Sequence, residues 1–369
     1  MLTSSSPAEA PRRPNKYHHE TYSYSQSGGV ARSMVDAEAT TVAPGLQPSI
    51  VTPAPLSKRT LLVTDAASDL AADWREKTGV LLLPIKLRNG EMSHIDDGDE
   101  MAAARFAMKH LAQFSGPTHT LASSVDATGE LIGQHTHDDT DFVLQIAMSS
   151  MRSNSYANSL TAAQKLMVQG ARDRRRAGNM RPFKMWVVDS AASFNGHGVL
   201  IAECARLLQA SVSLPAIVQQ VDALRRQVKT LVVPRDLNLF HRCAALPEAP
   251  VSHWLSRNVG QLFDRTPIAV ANGDDLRVMS TQTGFAAAAK IALSQATHCV
   301  KAGLDAPFVC ASYAGDIADL RHINAFVELS ATCAKHGVTL LTSTMSMTNS
   351  ASLGSGGVLI SLATSFDFP

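Results

Sequence analysis

The chain carries almost no net charge: 33 Lys and Arg against 32 Asp and Glu leave +1 over 369 residues. No general field therefore draws it to nucleic acid or to an anionic lipid surface, and the run Arg172-Asp173-Arg174-Arg175-Arg176, broken by an acid, reads as a solvated helix end. Cysteine is scarce. Cys204, Cys243, Cys299, Cys310 and Cys333 are odd in number, widely spaced and without a CxxC pair, which argues against a disulfide framework and a zinc ribbon and fits a reducing cytoplasm. No run approaches eighteen apolar residues and the N-terminus lacks a signal-type apolar core, so neither anchoring nor export is expected. A GxSxG elbow is missing, and Gly196-His197-Gly198 lacks the third glycine of a dinucleotide loop. The spacing His135-x-His137-x-Asp139 resembles a zinc set, but zinc hydrolases place that set after a strand and here it precedes one, so no metal site is expected.

What the chain does have is apolar content. At 45% hydrophobic residues and near-zero mean hydropathy it can bury a large core, enough for two domains once a tail is discounted. The tail is residues 1–57, rich in Ser, Pro, Gly, Tyr and His and without apolar periodicity, expected to be flexible. From Arg59 onward apolar runs alternate with helical stretches. Thr60–Val63, Val80–Leu87, Phe142–Met148 and Met185–Val188 read as buried strands of a parallel sheet. Ser68 or Asp69 is placed to cap the helix that Gly79 stops, and Ser155 or Asn158 to open the next; Gly198–Val228 reads as helical with one interruption near Pro215. The pattern gives an N-terminal α/β doubly wound domain over residues 58–229. Further strands at Thr230–Val233, Pro267–Ala271, Leu276–Met279, Pro307–Ala311, Val338–Ser343 and Gly357–Leu362, with helices at Gly284–His298 and Asp316–Lys335, make residues 230–369 a second α/β domain with a mixed sheet.

The feature that points to function is a series of short Ser/Thr/Asp turns, each expected at the carboxyl end of an apolar strand: TDAASDL from Thr64, PTHTLASS from Pro117, SSMRSNSYANS from Ser149 and VVDSAASFNGHG from Val187. In an open parallel sheet such loops converge on one crevice, so scattered hydroxyls become one polar site rich in neutral donors.

In order and spacing these segments, with GVLLLPIKLRNGEMSHIDDGD between the first two, resemble the DegV family, from Thr60 to the C-terminus and most strongly to about Leu208. The resemblance implies a two-domain α/β carrier that holds a long-chain fatty acid between its domains, in some members for presentation to a separate fatty-acid kinase, with no catalysis of its own and no cofactor. The physical chemistry agrees. Withdrawing a C16 chain from water at about 0.8 kcal/mol per methylene yields on the order of 10 kcal/mol before ordering costs, and the head group then needs only a few hydroxyl or backbone donors.

Carried over residue by residue, the family's SSxLSGTY segment falls on Ser149, Ser150, Met151, Arg152, Ser153, Asn154, Ser155 and Tyr156. The resemblance makes Ser153 the carboxylate ligand with the Asn154 amide beside it; the alternative is that Ser153 or Ser155 only caps the following helix. The family's PxTSQPS segment falls on Pro117 to Ser123, which places His119 at its carboxylate-binding Thr, with Thr118 and Thr120 as substitutes. A histidine there would make binding pH-sensitive. Asp65 is expected to anchor the first turn. The C-terminal half departs further: DLNLFHRCAALPEAP puts Ala245 or a neighbour where the family has Arg, with Arg242 as candidate substitute, and MSMTNSASLGSGGVLIS has no counterpart of the family His. That segment reads as a loop, either plain or closing over the ligand with Asn349, Ser350 and Ser352 as donors. Two other readings remain open: an enzyme subunit acting on an acyl or phosphate group, and a scaffold whose pocket is filled by its own side chains.

Overall fold

The structure is a computed structural model that describes residues 56–57, 59–114, 118–244 and 265–368. Apart from Leu56 and Ser57, the expected tail lies outside the described residues, as do Pro117 and Ala245.

The chain begins with β1 (Thr60–Asp65), α1 (Ala72–Thr78), β2 (Leu81–Leu83), β3 (Ile85–Asn89), β4 (Met92–Asp96), α2 (Glu100–Arg105) and β5 (His119–Ala122). It continues through α3 (Val125–Gln134), β6 (Phe142–Ala147), α4 (Ser155–Arg176), β7 (Lys184–Asp189), α5 (Gly196–Gln209) and α6 (Leu214–Leu224). A wholly parallel sheet of order β2-β1-β6-β7 forms the first lobe, the arrangement that the unbroken apolar runs require. The second lobe comprises β8 (Val228–Val233), α7 (Leu237–Ala244), β9 (Arg265–Asn272), β10 (Asp275–Thr283), α8 (Phe285–Ala302), β11 (Phe308–Tyr313), α9 (Ile317–Arg321), α10 (Asn324–Lys335), β12 (Thr339–Thr344), α11 (Met347–Leu353) and β13 (Val358–Ala363). Its six-stranded mixed sheet runs β10-β9-β8-β13-β11-β12. The expected pairing of a parallel sheet with a mixed one is what the structure shows.

The two sheets share α5. Eleven of its 14 residues are buried, and it packs against β1 and β6 on one side and β8, β11 and β13 on the other. A helix buried on nearly every side belongs between layers rather than at a surface. Its first turn sits close to the end of β1: a Cβ on Gly198 would lie 2.6 Å from the Ser68 carbonyl, so only glycine permits that approach.

Several expectations change. The single strand over Val80–Leu87 is two, because Pro84 has no N–H to donate to a ladder; β2 stays in the parallel sheet while β3 turns into a separate antiparallel sheet of order β4-β3-β5. The Thr118–Ser123 segment therefore does not follow an apolar strand, since His119–Ala122 is itself an edge strand. Neither Ser68 nor Asp69 caps α1, which begins after Ala71 without a side-chain cap; Gly79 ends it at φ 76 as expected. The helical stretch after Gly198 is interrupted once near Pro215, as expected: it breaks at Ser211 (φ 59) and Pro215 falls in the first turn of α6. Asp316–Lys335 is two helices with the break at His322 and Ile323. The segment expected as a loop near the C-terminus is helix α11, capped by Ser346 Oγ, which accepts from the Asn349 amide at 3.2 Å, and ended by Gly354 at φ 85.

Candidate functional site

Because β1, β6 and β7 are parallel, the loops that leave them meet at one edge. Asp65, the last residue of β1, ties that edge together. Its carboxylate accepts from the Met148 amide (3.2 Å) and the Ser155 hydroxyl (3.2 Å) and lies 3.1 Å from His197 Nε2 at the start of α5. Burial pushes its acidity the other way, yet the His197 charge and hydrogen bond, with those from Met148 and Ser155, hold the carboxyl below the ordinary carboxylate range. Asp65 thus anchors the turn, as expected, and lies away from the open cavity.

The β6–α4 loop carries the residues matched to the carboxylate-binding segment. Ser149 Oγ donates to the Asp274 carboxylate at 2.5 Å, and Ser150 Oγ donates to Asp189 at 2.5 Å. A hydroxyl has one proton, so these two serines hold the loop in place instead of offering a donor to a ligand. Ser153 differs: its Oγ accepts from the Ser155 amide at 3.1 Å, and its proton has no acceptor among the described residues. The Asn154 N–H makes no hydrogen bond among the described residues. Asn154 takes φ −75, so the left-handed tolerance of asparagine is not used. The β7–α5 loop contributes Ser193 and Phe194 and contains two residues with positive φ, Ala191 (50) and Phe194 (54), a strained turn of the sort that clusters at sites.

Two adjoining cavities open here. The larger, about 500 Å³, has apolar walls from Met148, Phe194, Leu239 and Ala351 and polar ones that include Thr118, Thr120, Thr348 and Ser352. Its size falls within the range of small-molecule sites. The smaller, about 280 Å³, is lined by Ser150, Ser153 and Asn154, and shares Thr120 and Arg152 with the larger. Strand alternation separates the Thr118–Thr120 trio: the two threonines line the larger cavity, whereas His119 between them is exposed and lines neither. Thr118 Oγ1 accepts from Asn89 Nδ2 at 3.1 Å.

The second lobe supplies the opposite wall. Arg242 of α7 lines the larger cavity, its Nε donating to the Asn238 carbonyl at 3.2 Å. Asn349 and Ser352 of α11 line it too, but Ser350 is buried outside the lining. The Asn349 Nδ2 donates to the Ala67 carbonyl (2.9 Å) and to Asp69 Oδ1 (3.0 Å), so it joins the lobes instead of facing a ligand. Asp69, at φ 49, also accepts from Ser312 Oγ (2.6 Å) and the Ser346 amide (3.0 Å). Burial pushes its carboxyl up to about 6 against those hydrogen bonds. Asp96 is likewise raised by burial, opposed by bonds from the Thr348 hydroxyl (2.6 Å) and amide (2.8 Å).

Arg152, Ser193, Phe194, Leu239, His241 and Thr348 line the cavity without having been singled out as site residues. Only Arg152 carried a signal, as the lone cation in a hydroxyl-rich loop. Among the described residues no three His, Cys, Asp or Glu side chains converge as a metal set, and no helix is long and apolar enough to cross a membrane.

Residues 59–364 match the family model described as "Uncharacterised protein, DegV family". A DegV domain-containing protein of Xanthomonas axonopodis pv. citri is 28% identical over 302 residues, 82% of this chain and 96% of that one. Among solved structures, a DegV family protein from Thermus thermophilus described by its fatty-acid binding superposes with a TM-score of 0.63 at 19% identity, over 83% of this chain and 100% of that chain. The fatty acid kinase B3 protein of Streptococcus pneumoniae, loaded with linoleic acid, superposes at 0.57 with 15% identity, over 82% and 99%.

Proposed function

Since this chain belongs to the DegV family, we propose that it sequesters one long-chain fatty acid between its lobes, the acyl chain in the larger cavity and the carboxylate at the junction with the smaller one. The observation that carries this reading is the meeting of an apolar-walled 500 Å³ space with donors whose protons have no acceptor among the described residues: the hydroxyls of Thr118, Thr120 and Ser153 and the Asn154 amide. The binding in the Thermus thermophilus relative supports it. On this reading the domains are residues 58–229 and 230–369 with the ligand held between them, and the role is that of a cytoplasmic carrier without catalysis of its own. Delivery to a fatty-acid kinase is the partner reading that the Streptococcus pneumoniae relative favours. Against it, the segment MSMTNSASLGSGGVLIS has no counterpart of the family His, and the basic side chains on that wall are His241 and Arg242 of α7.

Native mass spectrometry of the purified protein, then extraction and identification of lipid, tests the proposal. A stoichiometric C14–C18 fatty acid supports it. A protein that carries none and takes up none when palmitate is added refutes it and returns the occluded-scaffold reading.

A further inference from the structure

Position 152 is where this chain departs most sharply from the family segment within the head-group loop: an arginine stands in place of leucine. Leucine at that point can only pack. A guanidinium brings a positive charge and five donors in a fixed fork.

The setting of Arg152 is unusual for an arginine. The side chain is half-buried and borders both cavities, at the junction it shares with Thr120. One hydrogen bond holds it, from Nη2 to the Asp274 backbone carbonyl at 3.3 Å, a long contact. Its Nε is buried and has no partner, and the side chain forms no ion pair among the described residues. A buried guanidinium N–H left unpaired is expensive, and natural structures leave few of them. The carboxylates nearest the loop do not relieve it, since Asp274 accepts from Ser149 and Asp189 from Ser150. Those two acids would repel an anionic ligand unless a cation stood closer.

We propose that Arg152 is a specificity-determining residue for the ionised head group: its guanidinium, held by one long hydrogen bond and without an ion pair among the described residues, donates to a ligand carboxylate at the junction of the two cavities, beside the Ser153 and Thr120 hydroxyls. The assignment rests on the fatty-acid reading above and deepens it. Neutral hydroxyls accept a carboxylic acid, an alcohol or an amide nearly alike, whereas a guanidinium in a partly dry site favours the anion. This chain therefore discriminates by charge where a leucine-bearing loop discriminates by shape.

The test measures palmitate and hexadecanol, two C16 ligands that differ at the head, against wild type, Arg152→Met and Arg152→Lys. Wild type is expected to prefer palmitate by roughly 10- to 100-fold, the range for a charge-assisted bond. Arg152→Met should lose most of that preference while hexadecanol affinity stays within about threefold, and Arg152→Lys should recover part of it. Because the readout is a ratio within each protein, partial unfolding of a variant cancels. Equal wild-type affinity for the two ligands overturns the proposal without any variant, and so does a preference that survives Arg152→Met. Failure of wild type to bind either ligand overturns the carrier reading, and this one with it.

Discussion

Asp69→Asn is expected to stabilise the protein at neutral pH, although it alters a buried residue whose carboxylate accepts three hydrogen bonds across the lobes. The carboxyl ionises at about 6 in the folded state against 3.8 for an ordinary aspartate, because burial outweighs the bonds from Ser312, Ser346 and Asn349. Between those two pH values the folded protein holds a proton that the unfolded chain has released, so stability falls as pH rises through the window and is flat above it. The displacement corresponds to about 3 kcal/mol at neutral pH, the free energy of keeping that carboxylate ionised in the interior. Asparagine avoids ionisation and keeps two of the three bonds. Both the Ser346 amide and Asn349 Nδ2 donate to the same oxygen, Oδ1, which asparagine retains. The other oxygen becomes an NH₂, so the Ser312 hydroxyl loses its acceptor and can only accept from that amide, a cost that offsets part of the gain. Asparagine also tolerates the left-handed backbone at this position. Urea unfolding at several pH values between 4 and 7.5 should show Asp69→Asn more stable than wild type by about 1–3 kcal/mol at pH 7.5. The difference should close towards pH 4. Asp65 adds the opposite trend at lower pH, since its carboxyl is held down, and it cancels from the difference. A variant less stable than wild type at pH 7.5, or one that keeps the wild-type decline from pH 4 to 6, refutes the reasoning.

Ser153→Ala should weaken palmitate binding by about 1–3 kcal/mol in a calorimetric titration. Ligand-free stability should fall only by the bond to the Ser155 amide, about 0.5–1 kcal/mol; an unchanged affinity would reduce Ser153 to a residue of the helix start. His119→Ala should leave affinity within about twofold and the pH profile of binding unaltered, because the side chain is exposed and lines neither cavity. A tenfold loss would place the imidazole against the ligand after all.

The parts of the fold legible in the sequence were those with unbroken apolar runs. Leu62–Val63, Val143–Ile146 and Val358–Leu362 are buried on both faces and leave little choice of element. The small sheet was written more quietly. Ile85-Lys86-Leu87-Arg88-Asn89 alternates buried and exposed, and Asn89-Gly90, with Gly90 at φ 56, is a hairpin signal; merging this stretch with Leu81–Leu83 hid both. Helix α11 was harder, since Thr348, Asn349, Ser350 and Ser352 are weak helix formers. Its first turn is held from elsewhere in the chain, by Asp96 on Thr348 and Asp69 on Asn349, contacts that no local pattern announces. The site divides along the same line. Hydroxyl-bearing loops could be found by spacing, but which hydroxyls keep a free proton depends on Asp189 and Asp274, distant in sequence from the serines they bind.

The tip of the β9–β10 hairpin bears on how fast a ligand can come and go. Gly273 and Asp274 reach from the second lobe to the first through the hydroxyls of Ser193 and Ser149 and the guanidinium of Arg152. Of the contacts around the site, these three are side-chain hydrogen bonds at a turn, each contributing on the order of 1 kcal/mol, whereas α5 locks the lobes together through a continuous core. Lifting the tip is therefore a local opening of a few kcal/mol, set well below global unfolding, so on the carrier reading proposed above ligand exchange is expected at this corner while α5 keeps the lobes joined.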